Sequence, residues 1–287
     1  MIGYTSLVPR RPSDIHKGDR GGVLIVGGCS MYRGAPLLAA RGALRSGCGL
    51  AVVFSDECVC SAVASTLPEV IVHSGLSSSS REDIVGILNM WNPRMNCLVL
   101  GPGIGRSPEA GNVVRTVLEH WKKPLILDGD GLFWLAEHEE NFERRKTLLL
   151  TPHEGEAERL LRAPLDSVRR AREESVRTIA SRYGIALLKG PRTLIDDGMR
   201  CECVAEGNQA LSIPGSGDVL SGAIAAFAAA GTPLFESACL GAFVHGRAGK
   251  GISQKKGIDG ILASEVADAL PSILRKMRVS LCETQTD

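Results

Sequence analysis

The sequence predicts an α/β fold with a mostly parallel central sheet and helices on both faces. Three observations lead there. Short apolar runs alternate with longer helical segments along the whole chain, the pattern of repeated β–α units feeding one sheet. Several of these runs end in glycine, as at residues 22–27 and 97–101. One tight hairpin signal, Asp197-Gly198, interrupts the alternation.

The elements follow in order. Residues 1–16, with Pro9 and Pro12 among several charges, predict an irregular arm. Residues 22–27 read as a buried strand, and 35–46 as a helix of small residues with Gly47 and Gly49 beyond its end. Residues 50–55, 56–66 and 69–73 read as strand, helix and strand, and 81–91 as the helix after a serine-rich loop. A strand at 97–100 runs into Gly101-Pro102-Gly103-Ile104-Gly105, and residues 108–121 form the next helix. The strand at 124–127 ends in Asp128 before a short helix at 132–137. The strand at 147–150 delivers Thr151-Pro152-His153, followed by helices at 154–161 and 166–183. Residues 185–188 form a strand ending at Lys189-Gly190, and 193–196 with 200–206 form the hairpin. Helices at 219–230, 235–251 and 264–277 complete the chain before a frayed tail at 279–287.

No repeat or low-complexity linker splits this order, so one domain over residues 1–287 is expected. Right-handed crossovers place the loops that follow strands along one sheet edge, where such folds bind ligands. Loops 27–34, 101–105, 128–131, 151–156 and 189–193 should therefore share one crevice.

Composition narrows the functional classes. The 287 residues are 44% hydrophobic and 23% charged with a net charge of +1, which leaves no basic surplus for nucleic acid. No uninterrupted apolar stretch of about 18 residues is present, so no membrane span is expected. The N-terminus lacks an apolar signal core, and a cytoplasmic protein is expected. Nine cysteines are scattered without a C-x-x-C pair or a histidine at zinc-finger spacing. They read as small buried hydrophobes, with no metal and no catalysis assigned.

Residues 212–222, Ser-Ile-Pro-Gly-Ser-Gly-Asp-Val-Leu-Ser-Gly, hold the chemistry. Two glycines flank a serine just before a small apolar helix. The first N–H groups of a helix lack internal partners and, with the helix dipole, attract phosphate oxygens. Asp218 has two readings there, a helix N-cap or a catalytic carboxylate.

With those residues go Lys17-Gly18-Asp19, Gly34-Ala35-Pro36, the glycine loop at 101–105, Leu127-Asp128-Gly129-Asp130-Gly131, Thr151-Pro152-His153-Glu154-Gly155-Glu156 and Leu188-Lys189-Gly190. This ordered set, from about residue 17 to 270, resembles the ADP- or ATP-dependent NAD(P)H-hydrate dehydratases of the ribokinase-like superfamily. The chain departs from the family pattern at Gly129 (usually alanine), Glu154 (usually proline), Ser216 (usually threonine or glutamine) and Pro214 (usually glycine). Pro214 removes one N–H from the anion loop.

The resemblance implies a ribokinase-like, stand-alone dehydratase domain that repairs hydrated NADH and NADPH with ADP or ATP as phosphoryl donor and Mg2+. It implies Asp218 as the catalytic base, ionised in the field of the helix N-terminus, and the N–H groups of Gly215, Ser216 and Gly217 as an anion hole. Ala35, Gly103, His153 and Asp218 would bind the hydrate, with Ala35 and Gly103 leaving room for a flat ring. Lys189, Gly190, Pro191, Arg192 and Thr193, with Gly217, would hold the nucleotide, and Glu156 the magnesium or its water. Solvated side chains are the ordinary alternatives for Lys189 and Glu156. The partners expected are these small molecules and further copies of the chain. A ribokinase-like hydroxyethylthiazole or pyrimidine kinase is the nearest rival, and a nucleotide-binding regulator without turnover is another.

Overall fold

Apolar runs of three to five residues form the strands because their two faces are covered by helices. In β1 (Gly22–Val26) every residue is buried. Its alternate side chains serve different cores, Leu24 and Val26 on one face and Val23 and Ile25 on the other, as the two-residue period of a strand requires. The computed structural model describes residues 3–12, 14–138 and 142–283.

The remaining strands are β2 (Leu50–Phe54), β3 (Ile71–His73), β4 (Cys97–Leu100), β5 (Leu125–Leu127), β6 (Leu148–Leu150), β7 (Ile185–Leu188), β8 (Thr193–Asp196) and β9 (Cys201–Val204). They form one sheet in the order β3-β2-β1-β4-β5-β6-β7-β8-β9. All pairings are parallel from β3 through β7, while β8 and β9 join antiparallel around Gly198. One face is covered by α3 (Arg81–Trp91), α4 (Pro108–His120), α5 (Asp130–Glu137), α6 (Glu154–Leu161), α7 (Leu165–Arg170) and α8 (Arg172–Tyr183). The other is covered by α1 (Gly34–Arg45), α2 (Glu57–Thr66), α9 (Ser216–Ala229) and α10 (Leu234–Lys256), with α11 (Ala263–Glu283) packed outside α9 and α10.

The order places β1 beside β4, with later connections leaving in opposite directions, and such a switch point opens a crevice at the strands' C-terminal ends. Small residues bring α9 to that crevice. A Cβ on Gly222 would lie 1.9 Å from the Ala39 carbonyl oxygen, and one on Gly42 would lie 2.4 Å from that of Val219.

Some boundaries differ from those the sequence predicts. The helix at 166–183 breaks at Ala171, whose φ of −125° and ψ of 51° leave the helical region, into α7 and α8. α10 runs on to Lys256, and α11 reaches Glu283 where a frayed tail was expected at 279–287. An apolar stripe through Val266, Leu270, Leu274 and Met277 docks α11 and carries it beyond the predicted end. Residues 284–287 lie outside the described residues, as do 1, 2 and 13 of the expected arm. Part of the arm is ordered against the core: Tyr4–Leu7 form a 3-10 helix and Val8 is buried. Tyr4 stacks on Phe243 at 4.4 Å and donates to Glu202 Oε1 at 2.9 Å.

Candidate active site

The loops after β1 and β4 touch backbone to backbone. Gly28 N–H donates to the Pro102 carbonyl at 2.8 Å, and a Cβ on Gly27 would fall 2.5 Å from the same oxygen. Gly103 has φ +60°, and a Cβ there would sit 2.6 Å from Tyr32 Cβ and 3.0 Å from Ala35 Cβ. Gly103 is thus demanded by the approach of two loops, and its missing side chain does not by itself leave open space for a ring. The loop is then anchored to α5. Gly105 N–H donates to Asp130 Oδ2 at 3.1 Å, and Trp134 Nε1 donates to the Gly105 carbonyl at 3.0 Å.

These loops wall a cavity of about 380 Å³ at the switch point, which Ala35, Gly103, His153, Glu156 and Asp218 all line. All four residues expected to bind the hydrate, and the expected magnesium ligand, therefore meet in one place. Lys189 through Thr193 lie outside its wall. A larger cavity of about 690 Å³ lies between α4 and α5, lined by Leu118, Trp134 and His138 among others, and holds none of the expected site residues.

Asp218 is the third residue of α9, whose N-cap is Gly215 at φ 83° with no side-chain cap. The N-cap reading of Asp218 is therefore replaced. Burial, and next the charge of Asp128, push its pKa up to about 8, against the opposing pull of Lys189. The expectation of an ionised carboxylate is reversed in the free protein at neutral pH, because desolvation and a like charge outweigh the helix dipole.

The anion loop is only partly as expected. Ser216 N–H donates to the Ile213 carbonyl at 3.3 Å, so a turn already uses that amide. Among the described residues, the amides of Gly215, Gly217 and Asp218 have no hydrogen-bond partner. The Ser216 hydroxyl lies 3.1 Å from Nε2 of buried His245, whose pKa burial lowers to about 4. His245 is neutral near pH 7.

Lys189 is ion-paired rather than freely solvated. Its Nζ donates to Asp128 Oδ1 at 3.0 Å and lies 3.5 Å from Glu156 Oε2. Ser221 Oγ donates to the other Asp128 oxygen at 2.6 Å. Burial raises the Asp128 pKa, but Lys189, Ser221 and Thr151 more than offset this and hold it below its ordinary value. Lys189 gains in the same exchange, since Asp128 and Glu156 raise its pKa against burial. A Cβ on Gly217 would pass 3.5 Å from Lys189 Nζ, so the free amides and the cation adjoin.

Arg172 grips the strip beyond Lys189. One guanidinium nitrogen donates to the carbonyls of Lys189 at 3.3 Å and Arg192 at 3.0 Å. Glu154 pairs with Arg172 and with Arg169, so the residue that departs from the family pattern has a structural use here. A Cβ on Gly190 would fall 2.6 Å from the Arg172 guanidinium, Thr193 Oγ1 donates to the Gly190 carbonyl at 3.2 Å, and Pro191 and Arg192 are exposed.

His153 caps α6. Its Nδ1 accepts from Gly155 N–H at 3.0 Å and Glu156 N–H at 3.2 Å, which leaves the proton of a neutral ring on Nε2. Glu156 completes a capping box by accepting from His153 N–H at 2.7 Å. Among the described residues no three His, Cys, Asp or Glu side chains gather to hold a metal. The donors fit magnesium as it commonly binds, through one carboxylate, water and substrate phosphates.

Sequence reasoning missed the roles of Asp128, Arg172, Ser221 and His245. Asp128 alone had a signal, as a carboxylate ending an apolar strand. The other three are ordinary helix residues until the fold brings them to the site.

Three comparisons bear on this geometry. The profile of the NAD(P)H-hydrate dehydratase family matches residues 23–272. An ADP-dependent (S)-NAD(P)H-hydrate dehydratase of Neisseria meningitidis is 39% identical over 93% of this chain and 90% of its own length. A bifunctional NAD(P)H-hydrate repair enzyme of Thermanaerovibrio acidaminovorans is 38% identical over 95% of this chain. The chain spans only 55% of that relative's length. Among solved structures, the ADP/ATP-dependent NAD(P)H-hydrate dehydratase of Bacillus subtilis, co-crystallised with ATP and Mg2+, superposes with a TM-score of 0.82 at 27% identity, covering 96% of each chain. The fold is ribokinase-like, and the matches do not favour the small-molecule kinase reading.

Proposed function

The chain belongs to the NAD(P)H-hydrate dehydratase family, and from that premise we propose that it returns hydrated NADH and NADPH to their reduced forms at the expense of ADP or ATP. The hydrate carries a ring hydroxyl, and hydroxide leaves poorly. Transfer of a phosphoryl group to that oxygen makes phosphate the leaving group. The ring nitrogen lone pair then expels it, and loss of the neighbouring proton restores the dihydropyridine.

One observation carries the reading: the Asp218 carboxylate lines the cavity on the same first helical turn as the free amides of Gly217 and Asp218. In this reading Asp218 takes the hydroxyl proton, while those amides and Lys189 stabilise the transferring phosphoryl group. His153, whose Nε2 lies 3.6 Å from Glu156 Oε1, would donate its Nε2–H to the hydrate, and the strip at Lys189, Gly190, Pro191, Arg192 and Thr193 would hold the nucleotide. Glu156 would hold a magnesium ion or its water, and the ion would neutralise phosphate charge. We further propose that these residues form one domain and that the protein is a cytoplasmic homo-oligomer.

Incubation with hydrated NADH, Mg2+ and either nucleotide tests the proposal. Dihydronicotinamide absorbance should return with one inorganic phosphate per turnover. No recovery with either nucleotide, or accumulation of a stable phosphorylated product, would refute it.

A further inference from the structure

We propose that Arg106 and Arg159, seated together on the ring of Phe133 at the wall of the 380 Å³ cavity, bind the phosphates of the hydrated dinucleotide. This rests on the reading of that cavity as the hydrate site. Arg106 follows the glycine loop after β4, Phe133 lies on α5 and Arg159 on α6. Their guanidinium carbons stand 4.4 Å and 4.8 Å from the Phe133 ring centre.

Two guanidinium groups on one ring repel each other, and a cation–π contact offsets only about 0.5–1 kcal/mol at an exposed position. Nearby acids compensate part of this charge but leave donors unspent. Arg106 Nε donates to Asp130 Oδ1 at 3.1 Å, and the other Asp130 oxygen is taken by Gly105 N–H. Among the described residues, the two terminal nitrogens of Arg106 have no hydrogen-bond partner. Arg159 lies 3.9 Å from Glu137 Oε1, beyond hydrogen-bond reach. Two planar forks with free N–H groups suit bidentate recognition of phosphate.

Position argues for a substrate phosphate over ordinary surface ion pairs. The hydrated ring is uncharged, and the phosphoryl-transfer end has its own cation in Lys189. The charge left for a cationic wall in this cavity is that of the substrate's own phosphates. These are the pyrophosphate bridge in both hydrates and an additional ribose phosphate in hydrated NADPH.

Steady-state kinetics of the intact enzyme with Arg106→Gln, Arg159→Gln and the double variant test this, using the hydrates of NADH and NADPH as separate probes. Each single variant should raise the hydrate KM about tenfold, the scale of one charge-assisted hydrogen bond, while the KM for ADP stays within twofold. Equal rises for the two hydrates would assign the arginines to the pyrophosphate, and a rise confined to hydrated NADPH would assign them to its extra phosphate. Unchanged KM for both hydrates, or an equal rise for ADP, would overturn the proposal. Melting curves separate these outcomes from misfolding. A wild-type enzyme that turns over neither hydrate would overturn the parent reading as well, and that arm is read before any variant.

Discussion

At the proposed hydrate end of the site, loops 27–34 and 101–105 meet so closely at Gly27 and Gly103 that a Cβ there would fall 2.5–2.6 Å from a neighbouring atom. At the proposed nucleotide end, Lys189, Asp128, Arg172 and Glu154 hold the strip at 189–193 through charge. The first region is set by steric approach and the second by electrostatics. Substitutions should therefore fail differently in the two, through shape in one and through uncompensated charge in the other.

Asp218 belongs to both regions, and its substitution should have the largest effect on turnover. Asp218→Asn should lower kcat about 10²–10⁴-fold, the range for a lost general base. The carboxyl's pKa is raised from 3.8 to about 8, so its contribution to stability is fully present below the lower value and lost as pH rises through the upper one. An asparagine side chain does not titrate. The variant's melting temperature should therefore gain on wild type as pH rises from 4 to 8. In the wild type, kcat/KM should rise with pH towards about 8. A variant that turns over near the wild-type rate would remove Asp218 from the chemistry.

Lys189→Ala sharpens the contrast from the electrostatic side. It leaves Asp128 buried without its cation, a change that costs about 3–5 kcal/mol when a buried pair is broken. A marked fall in melting temperature should accompany weaker ADP binding. Because Lys189 also faces Glu156 in the cavity wall, hydrate affinity should fall too. Calorimetric titration of each ligand would show this, and unchanged hydrate affinity would separate the two ends more cleanly than the geometry suggests.

Two glycine substitutions should break in opposite ways. Gly103→Ala places a side chain at φ +60° against Tyr32, costing about 1–2 kcal/mol for the left-handed backbone alone and lowering thermal stability. Gly217→Ala meets nothing nearer than 3.5 Å, so the fold should keep its melting temperature while the methyl group obstructs the nucleotide phosphates. Equal melting shifts would dissolve the distinction.

The smallest effect is expected at Arg172. Arg172→Gln should raise the KM for ADP several-fold with little change in that for the hydrate, because the strip at 189–193 lies outside the cavity. A larger effect on the hydrate would place the strip elsewhere in the cycle.

The succession of strands and helices along the chain, the glycine loops and the glycine-rich start of α9 were legible in the sequence because they are local. A short apolar run closed by glycine carries its structure within a few residues, and a glycine-rich helix start leaves unpaired amides that a phosphate can use. The convergence of Ala35, Gly103, His153 and Asp218 on one cavity could be anticipated because parallel topology sends every loop after a strand to the same edge. The electrostatics could not. Lys189 and Ser221, the partners of Asp128, are 61 and 93 residues away from it along the chain, and Ser216 meets His245 across 29. A pKa depends on burial and on every charge nearby, whatever its place in the sequence. Only the tertiary structure could turn Asp218 from an expected anion into a largely protonated acid in the free protein, and Lys189 from a solvated side chain into the counter-ion of Asp128.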